Sequence, residues 1–184
     1  MILTERDKRV LDFISEFKIA TTDTIQEIFY PSLFVAQRRL KKMYDYQLLN
    51  RDRSYVSSQY MYYINKPRQI RHNLILSNFY KELNKLVNIK YFEREFILNN
   101  IRPDSFVAYR YNNKNYIACV EVQISNLPLD VKKYEQLYYN GKYKEYFPVF
   151  PLIIAITNKN IPKTKLKIIQ IKEDLSNLKR LFIY

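Results

Sequence analysis

A chain of 184 residues is long enough to bury a core, either as one domain or as two small ones. Its formal net charge of +13 makes nucleic acid the natural partner. A single glycine excludes the phosphate loops GxGxxG and GxxxxGK[ST], and one Cys with one His excludes an ordinary Cys/His zinc site.

The first elements read as capped helices. Thr4 is the cap of the first, with Asp7 three residues on as a capping-box variant and Ile2 and Leu3 ahead of it as staple residues. Val10, Leu11, Phe13, Ile14 and Phe17 give its apolar face. Thr21 or Thr22 caps a short second helix, TDTIQEIF, with Ile25, Ile28 and Phe29 inward. Pro31 and Ser32 stop it and start a third. In SLFVAQRRLKKMYDYQLLNRDR, the apolar residues Leu33, Phe34, Leu40, Met43, Tyr44 and Leu48 recur every three to four positions, which predicts one inward face. Gln37, Arg38, Lys41 and Lys42 then lie on the other faces.

Three helices with a tight connection between the last two match the helix-turn-helix pattern. Arg53 to Ser58 reads as a polar turn and QYMYYI (59–64) as an aromatic strand, so a short hairpin comes after the third helix as a wing. The fold expected for residues 1–66 is a winged helix-turn-helix. On it, Gln37, Arg38 and Lys41 suit base edges, and Lys42, Arg51 and Arg53 suit phosphates, with Ser54 and Tyr55 as further wing contacts.

Asn65-Lys66-Pro67 is a polar break. Residues 67–88 contain one amphipathic helix, QIRHNLILSNFYKELNKLV, with Ile70, Leu74, Phe79, Leu83 and Leu86 apolar; it either bridges to the C-terminal half or pairs in a homodimer. His72 on it and Cys119 in IACVEV read as structural residues. Residues 89–184 change character to α/β. Ile89 to Leu98 is strand-like, Ser105 to Tyr111 a strand, Asn112-Asn113-Lys114-Asn115 a turn without glycine, and YIACVEVQI (116–124) a second strand. Pro128 opens a long helix to Tyr139 or Tyr146, interrupted at Asn140-Gly141. LIIAIT (152–157) is apolar on both faces, as in a central covered strand. Leu166 to Ile171 is a last strand, and Leu175 to Leu178 a short helical piece. No stretch approaches the ~18 apolar residues of a membrane span, and Glu5 and Asp7 break any leader, so a cytoplasmic, bacterial or phage-like setting is expected.

Within this half, Arg102-Pro103-Asp104, a hairpin, Glu121-Val122-Gln123, a helix and a buried strand come in order. This resembles the PD-(D/E)XK nuclease superfamily, with Pro103-Asp104 as the PD element and Glu121-Val122-Gln123 in place of (D/E)XK. The resemblance implies that Asp104 and Glu121 hold Mg²⁺ or Mn²⁺, which activates water against a phosphodiester, while the last residue of the motif orients the water. Here the neutral Gln123 stands where a Lys is usual; Lys132 or Lys133 is the nearest cation, and Glu93 or Glu95 a third carboxylate. As a whole the chain resembles the replication-relaxation family of plasmids, phages and mobile elements, through the N-terminal helices and through RPDSF, CVEVQ, VKKYEQLYY and FPVFPLIIAIT. That family implies E-x-D where Gln123 departs, and a Lys and Tyr pattern that Lys133, Tyr134 and Tyr138 match. The expectation is therefore a double-stranded-DNA-binding protein, cofactor-free and acting without catalysis, with replication or relaxosome proteins as further partners. The alternatives are a metal-dependent DNA nuclease of this type, or an interaction module whose partner surface is Tyr134, Tyr138, Tyr139 and Tyr143.

Overall fold

A computed structural model describes residues 2–53 and 59–183. Ser54 and Tyr55 lie outside the described residues. The chain is a mixed α+β protein and divides into two compact units, Met1–Lys81 and Glu82–Tyr184.

The first unit begins with α1 (Glu5–Phe17), α2 (Thr22–Phe29) and α3 (Leu33–Asp45). Each starts where its cap predicts. Thr4 and Asp7 form a reciprocal capping box on α1, Thr21 caps α2, and the Ser32 hydroxyl accepts from the Val35 amide of α3. Between α1 and α2 lies β1 (Ala20–Thr21), and after α3 come β2 (Asn50–Arg53) and β3 (Tyr60–Tyr63). They form an antiparallel sheet in the order β1-β3-β2, with Asn50 opposite Tyr63 at the open end of the hairpin and Arg53 opposite Tyr60 at the other. Val10, Ile14, Ile19, Ile25, Leu40 and Met43 are fully buried, each worth about 1.5–3 kcal/mol of transfer free energy.

The helix α4 (Ile70–Leu86) spans the division between the units. In its first-unit part, Lys81 reaches Asp23 at 2.7 Å and Asn78 accepts from the Thr24 hydroxyl at 2.6 Å. Its apolar residues Leu76, Phe79 and Leu83 are buried, Ile70 and Leu74 are half-buried and Leu86 is exposed.

The second unit is built on a five-stranded sheet of β4 (Asn88–Arg94), β5 (Ser105–Tyr111), β6 (Lys114–Val122), β7 (Leu152–Ile156) and β8 (Ile168–Ile171), in that order. The first three are antiparallel and β7 and β8 run parallel to β6. Asn112 and Asn113 both take the left-handed backbone (φ 46° and 61°), which lets them close the β5–β6 hairpin where glycine is usual. The interior strand β7, between β6 and β8, is almost wholly buried, as its unbroken apolar run predicts. Between β6 and β7 the chain forms α5 (Lys132–Tyr139) and a 3-10 turn, Lys142–Glu145.

Several boundaries differ from the sequence reading: β4 ends at Arg94 and not at Leu98, β8 begins at Ile168 and not at Leu166, and two helical pieces shift. α5 starts at Lys132 and not at Pro128: Val131 is its cap residue, and Leu129 and Val131 are both buried ahead of the helix. The last helical piece is Leu178–Phe182, which buries Leu178 and Leu181, whereas Leu175 is a turn residue at φ 62°.

Candidate functional site

The exposed surface of α3 is the first candidate. Its buried seam is Ala36, Leu40 and Met43, spaced four and three apart. This corrects the six-residue inward face: Leu33, Phe34 and Tyr44 are exposed. The small Ala36, not a large side chain, lets α3 pack closely, and at 100° per residue it turns Phe34 outward with Gln37, Arg38 and Lys41. All four are exposed, Phe34 at 70 %. The Arg38 guanidinium lies over the Phe34 ring, 5.9 Å from its centroid. Lys41 pairs with Asp45 at 2.7 Å, and Lys42 is exposed on the flank.

The neighbouring arginines divide by role. Arg51 lies between Tyr44 and Tyr60, 4.3 Å from each ring centroid. It joins α3 to the β2–β3 hairpin. Arg53 is exposed, with its guanidinium 5.6 Å from the Tyr60 centroid. Arg39, on α3 but not among the expected contacts, turns inward: its Nε donates to Asp7 Oδ1 at 2.8 Å and its Nη2 bonds Asp7 Oδ2. Burial alone raises the Asp7 pKa, but Arg39 and the Thr4 donors outweigh it and hold the carboxyl at about 2.

The second candidate is the carboxylate pair at the end of β5 and β6. Ser105 pairs with Val120, so the register continued by one residue sets Asp104 against Glu121. The strand alternation puts Glu121 on the same side as Cys119 and Phe106, the side packed by Tyr134 and Leu137 of α5. Asp104 Oδ2 accepts from the Val122 amide at 2.7 Å, and the Asp104 carbonyl accepts from the Glu95 amide at 2.9 Å. Glu121 Oε1 accepts from the Tyr134 hydroxyl at 2.5 Å and faces Lys133 Nζ at 2.6 Å.

Burial raises the pKa of Glu121, and Lys133 works against that rise. Tyr134 is pushed well above its ordinary value, by burial first and then by the Glu121 charge. Cys119, one turn of the pleat away, is buried and pushed up to about 12, which suits a packing residue and not a nucleophile.

Gln123 takes no part in this cluster through the bonds it makes. Its amide donates to Ser125 Oγ at 2.6 Å and to the Leu127 carbonyl at 2.7 Å, tying down the loop before α5. The cation at the carboxylates is Lys133, whereas Lys132 is exposed. Glu95 pairs with Arg102 at 2.6 Å and Glu93 accepts from the Tyr91 hydroxyl.

Asp104 and Glu121 are hard oxygen donors of the kind that Mg²⁺ or Mn²⁺ takes, with water and phosphate completing the shell. Among the described residues there is no group of three or more His, Cys, Asp or Glu able to hold a metal ion. The pair therefore fits a cation only with ligands from substrate and solvent. Among the described residues no helix is long and apolar enough to cross a membrane. Comparison with protein-family models, with curated proteins and with solved structures gave no match for this chain.

Proposed function

We propose that this chain is a double-stranded-DNA-binding protein: a winged helix-turn-helix that reads the major groove with α3, joined to a nuclease-like α/β unit. The process proposed is replication, maintenance, transfer or transcriptional control of a plasmid, phage or other mobile element, on the strength of the resemblance to the replication-relaxation family. The observation that carries DNA binding is the outward face of α3, where Gln37, Arg38 and Lys41 stand exposed opposite the buried Ala36–Leu40–Met43 seam. Lys42 and Arg53 lie exposed beside that face and suit phosphates. The net charge of +13 supports the same partner. A homodimer on two half-sites is the proposed form.

The test is a gel shift on DNA from the neighbouring locus with a salt titration. Binding whose affinity falls linearly in log–log salt supports the reading. No binding to duplex DNA at about 50 mM salt, where phosphate contacts are strongest, overturns it.

A second reading, metal-dependent cleavage, is favoured by one observation. Lys133 supplies at Glu121 the positive charge that Gln123 lacks. Such a charge stabilises the negative charge that develops on an attacked phosphate. The same ion pair also satisfies Glu121 without any metal, which is why binding is preferred here. Supercoiled plasmid incubated with Mg²⁺ or Mn²⁺ decides it: nicking lost in both Asp104→Ala and Lys133→Met puts cleavage first.

A further inference from the structure

Phe34 is an apolar ring on a polar surface. It sits 70 % exposed in the first turn of α3. It lies two positions after the cap residue Ser32 and four before Arg38, so ring and guanidinium are neighbours along one helical row. Arg38 already lies against the ring, which narrows the directions its fork can take.

The groove edge of DNA offers one apolar group, the 5-methyl of thymine, and one acceptor pair made for a guanidinium fork, O6 and N7 of guanine. We infer that Phe34 and Arg38 act together as a two-part reader, Phe34 seating a thymine methyl while Arg38 holds the guanine beside it. This rests on the proposed binding of duplex DNA by α3 and adds the base step that α3 selects. The charge around the ring favours this occupant over a protein surface: Arg38, Lys41 and Lys42 leave the exposed α3 face with more cation than the single Asp45 offsets. Gln37, next to Phe34 on the outward side, then falls to a flanking base pair.

The experiment uses the full chain and a pool of duplexes with a randomised stretch of about two helical turns. Duplexes bound by the wild type are selected, and the strongest is remade with uracil for thymine one position at a time, which removes a methyl and nothing else. The expected consensus contains thymine next to guanine. Uracil at that thymine weakens the wild type about fourfold, the transfer value of one methyl-sized group. Phe34→Ala binds both duplexes equally, with an unchanged melting temperature because the ring is exposed. Arg38→Ala keeps the uracil effect and loses the preference for guanine.

A selected duplex bound equally well with thymine or uracil overturns the inference while leaving duplex binding by the chain intact. So does discrimination that survives in Phe34→Ala. Selection of no duplex at all overturns the DNA reading itself. A wild type that self-associates while Phe34→Ala is monomeric assigns the ring to a second copy of the chain and overturns the inference.

Discussion

Lys133 Nζ and Glu121 Oε1 meet at 2.6 Å, joining the first turn of α5 to the end of β6 in front of Asp104. The pair is partly screened, since the Lys133 side chain is 27 % exposed and that of Glu121 11 %. Truncating one partner of a buried pair leaves the other charge uncompensated. Lys133→Met is therefore expected to cost about 1–3 kcal/mol, less than for a fully buried pair. Urea denaturation of the two proteins at pH 7 measures the difference.

The pH dependence of this site has a definite sign. Glu121 is shifted up from its ordinary value of 4.5 by burial. In the interval above 4.5 the folded chain holds a proton that the unfolded chain has released, so this group makes stability fall as pH rises. Urea midpoints measured from about pH 4 to pH 8 should show that fall in the wild type relative to Glu121→Gln. Lys133→Met should extend it to higher pH, because Lys133 opposes the shift. Parallel curves for the wild type and Glu121→Gln would contradict it.

At the other end of the sequence the sign reverses. Asp7 is held at about 2, below its ordinary 3.8, by Arg39 and Thr4 against the effect of its burial. Its contribution is fully present above pH 3.8 and is lost as pH falls toward 2. The stability difference between wild type and Asp7→Asn should be about 2 kcal/mol larger at pH 5 than at pH 2. Chemical denaturation at the two pH values checks it.

Binding should separate the α3 residues by role. Arg38→Ala is expected to cost about 1–3 kcal/mol and to relax sequence preference. Lys42→Ala should weaken binding to all sequences alike and reduce the salt slope by about one. Fluorescence anisotropy on specific and random duplexes at several salt concentrations measures both.

Arg51 and Arg53 should part company too. Arg51 is clamped between Tyr44 and Tyr60, so Arg51→Ala is expected to destabilise the first unit by about 1–2 kcal/mol. Arg53 is exposed, and Arg53→Ala should leave stability within about 0.5 kcal/mol while weakening duplex binding. Thermal melts beside anisotropy distinguish them. Equal destabilisation by both variants would reject the division of roles.

Elements governed by local chemistry were legible in the sequence. Thr4, Thr21 and Ser32 cap the three helices, and the apolar run of β7 is a buried interior strand. What escaped depends on contacts between distant segments. Counting large apolar residues on α3 turned Phe34 inward, because the seam is made by Ala36, whose size hides it from such a count. Arg39 was not singled out in the sequence, because only the fold of α1 against α3 brings Asp7 to it. Lys133 was a candidate with no way to rank it over Lys132. Its neighbour Tyr134 carries the signal: the inward seam of α5 is Tyr134 and Leu137, and Lys133 borders it. Gln123 was read by its place in a motif, whereas its bonds belong to the loop between β6 and α5.

The Asp7–Arg39 link has a consequence for how the chain is handled. Arg39 also donates to the Ile2 carbonyl at 3.2 Å, so the segment from Ile2 to Asp7 braces α3 from behind. Trimming the chain to begin at Lys8, or crowding its start with a fused tag, removes or strains that brace. Such a protein would keep every side chain of the outward α3 face and still present it at the wrong angle. A failed binding assay on a shortened or N-terminally tagged chain would then report a loosened helix and not a missing contact.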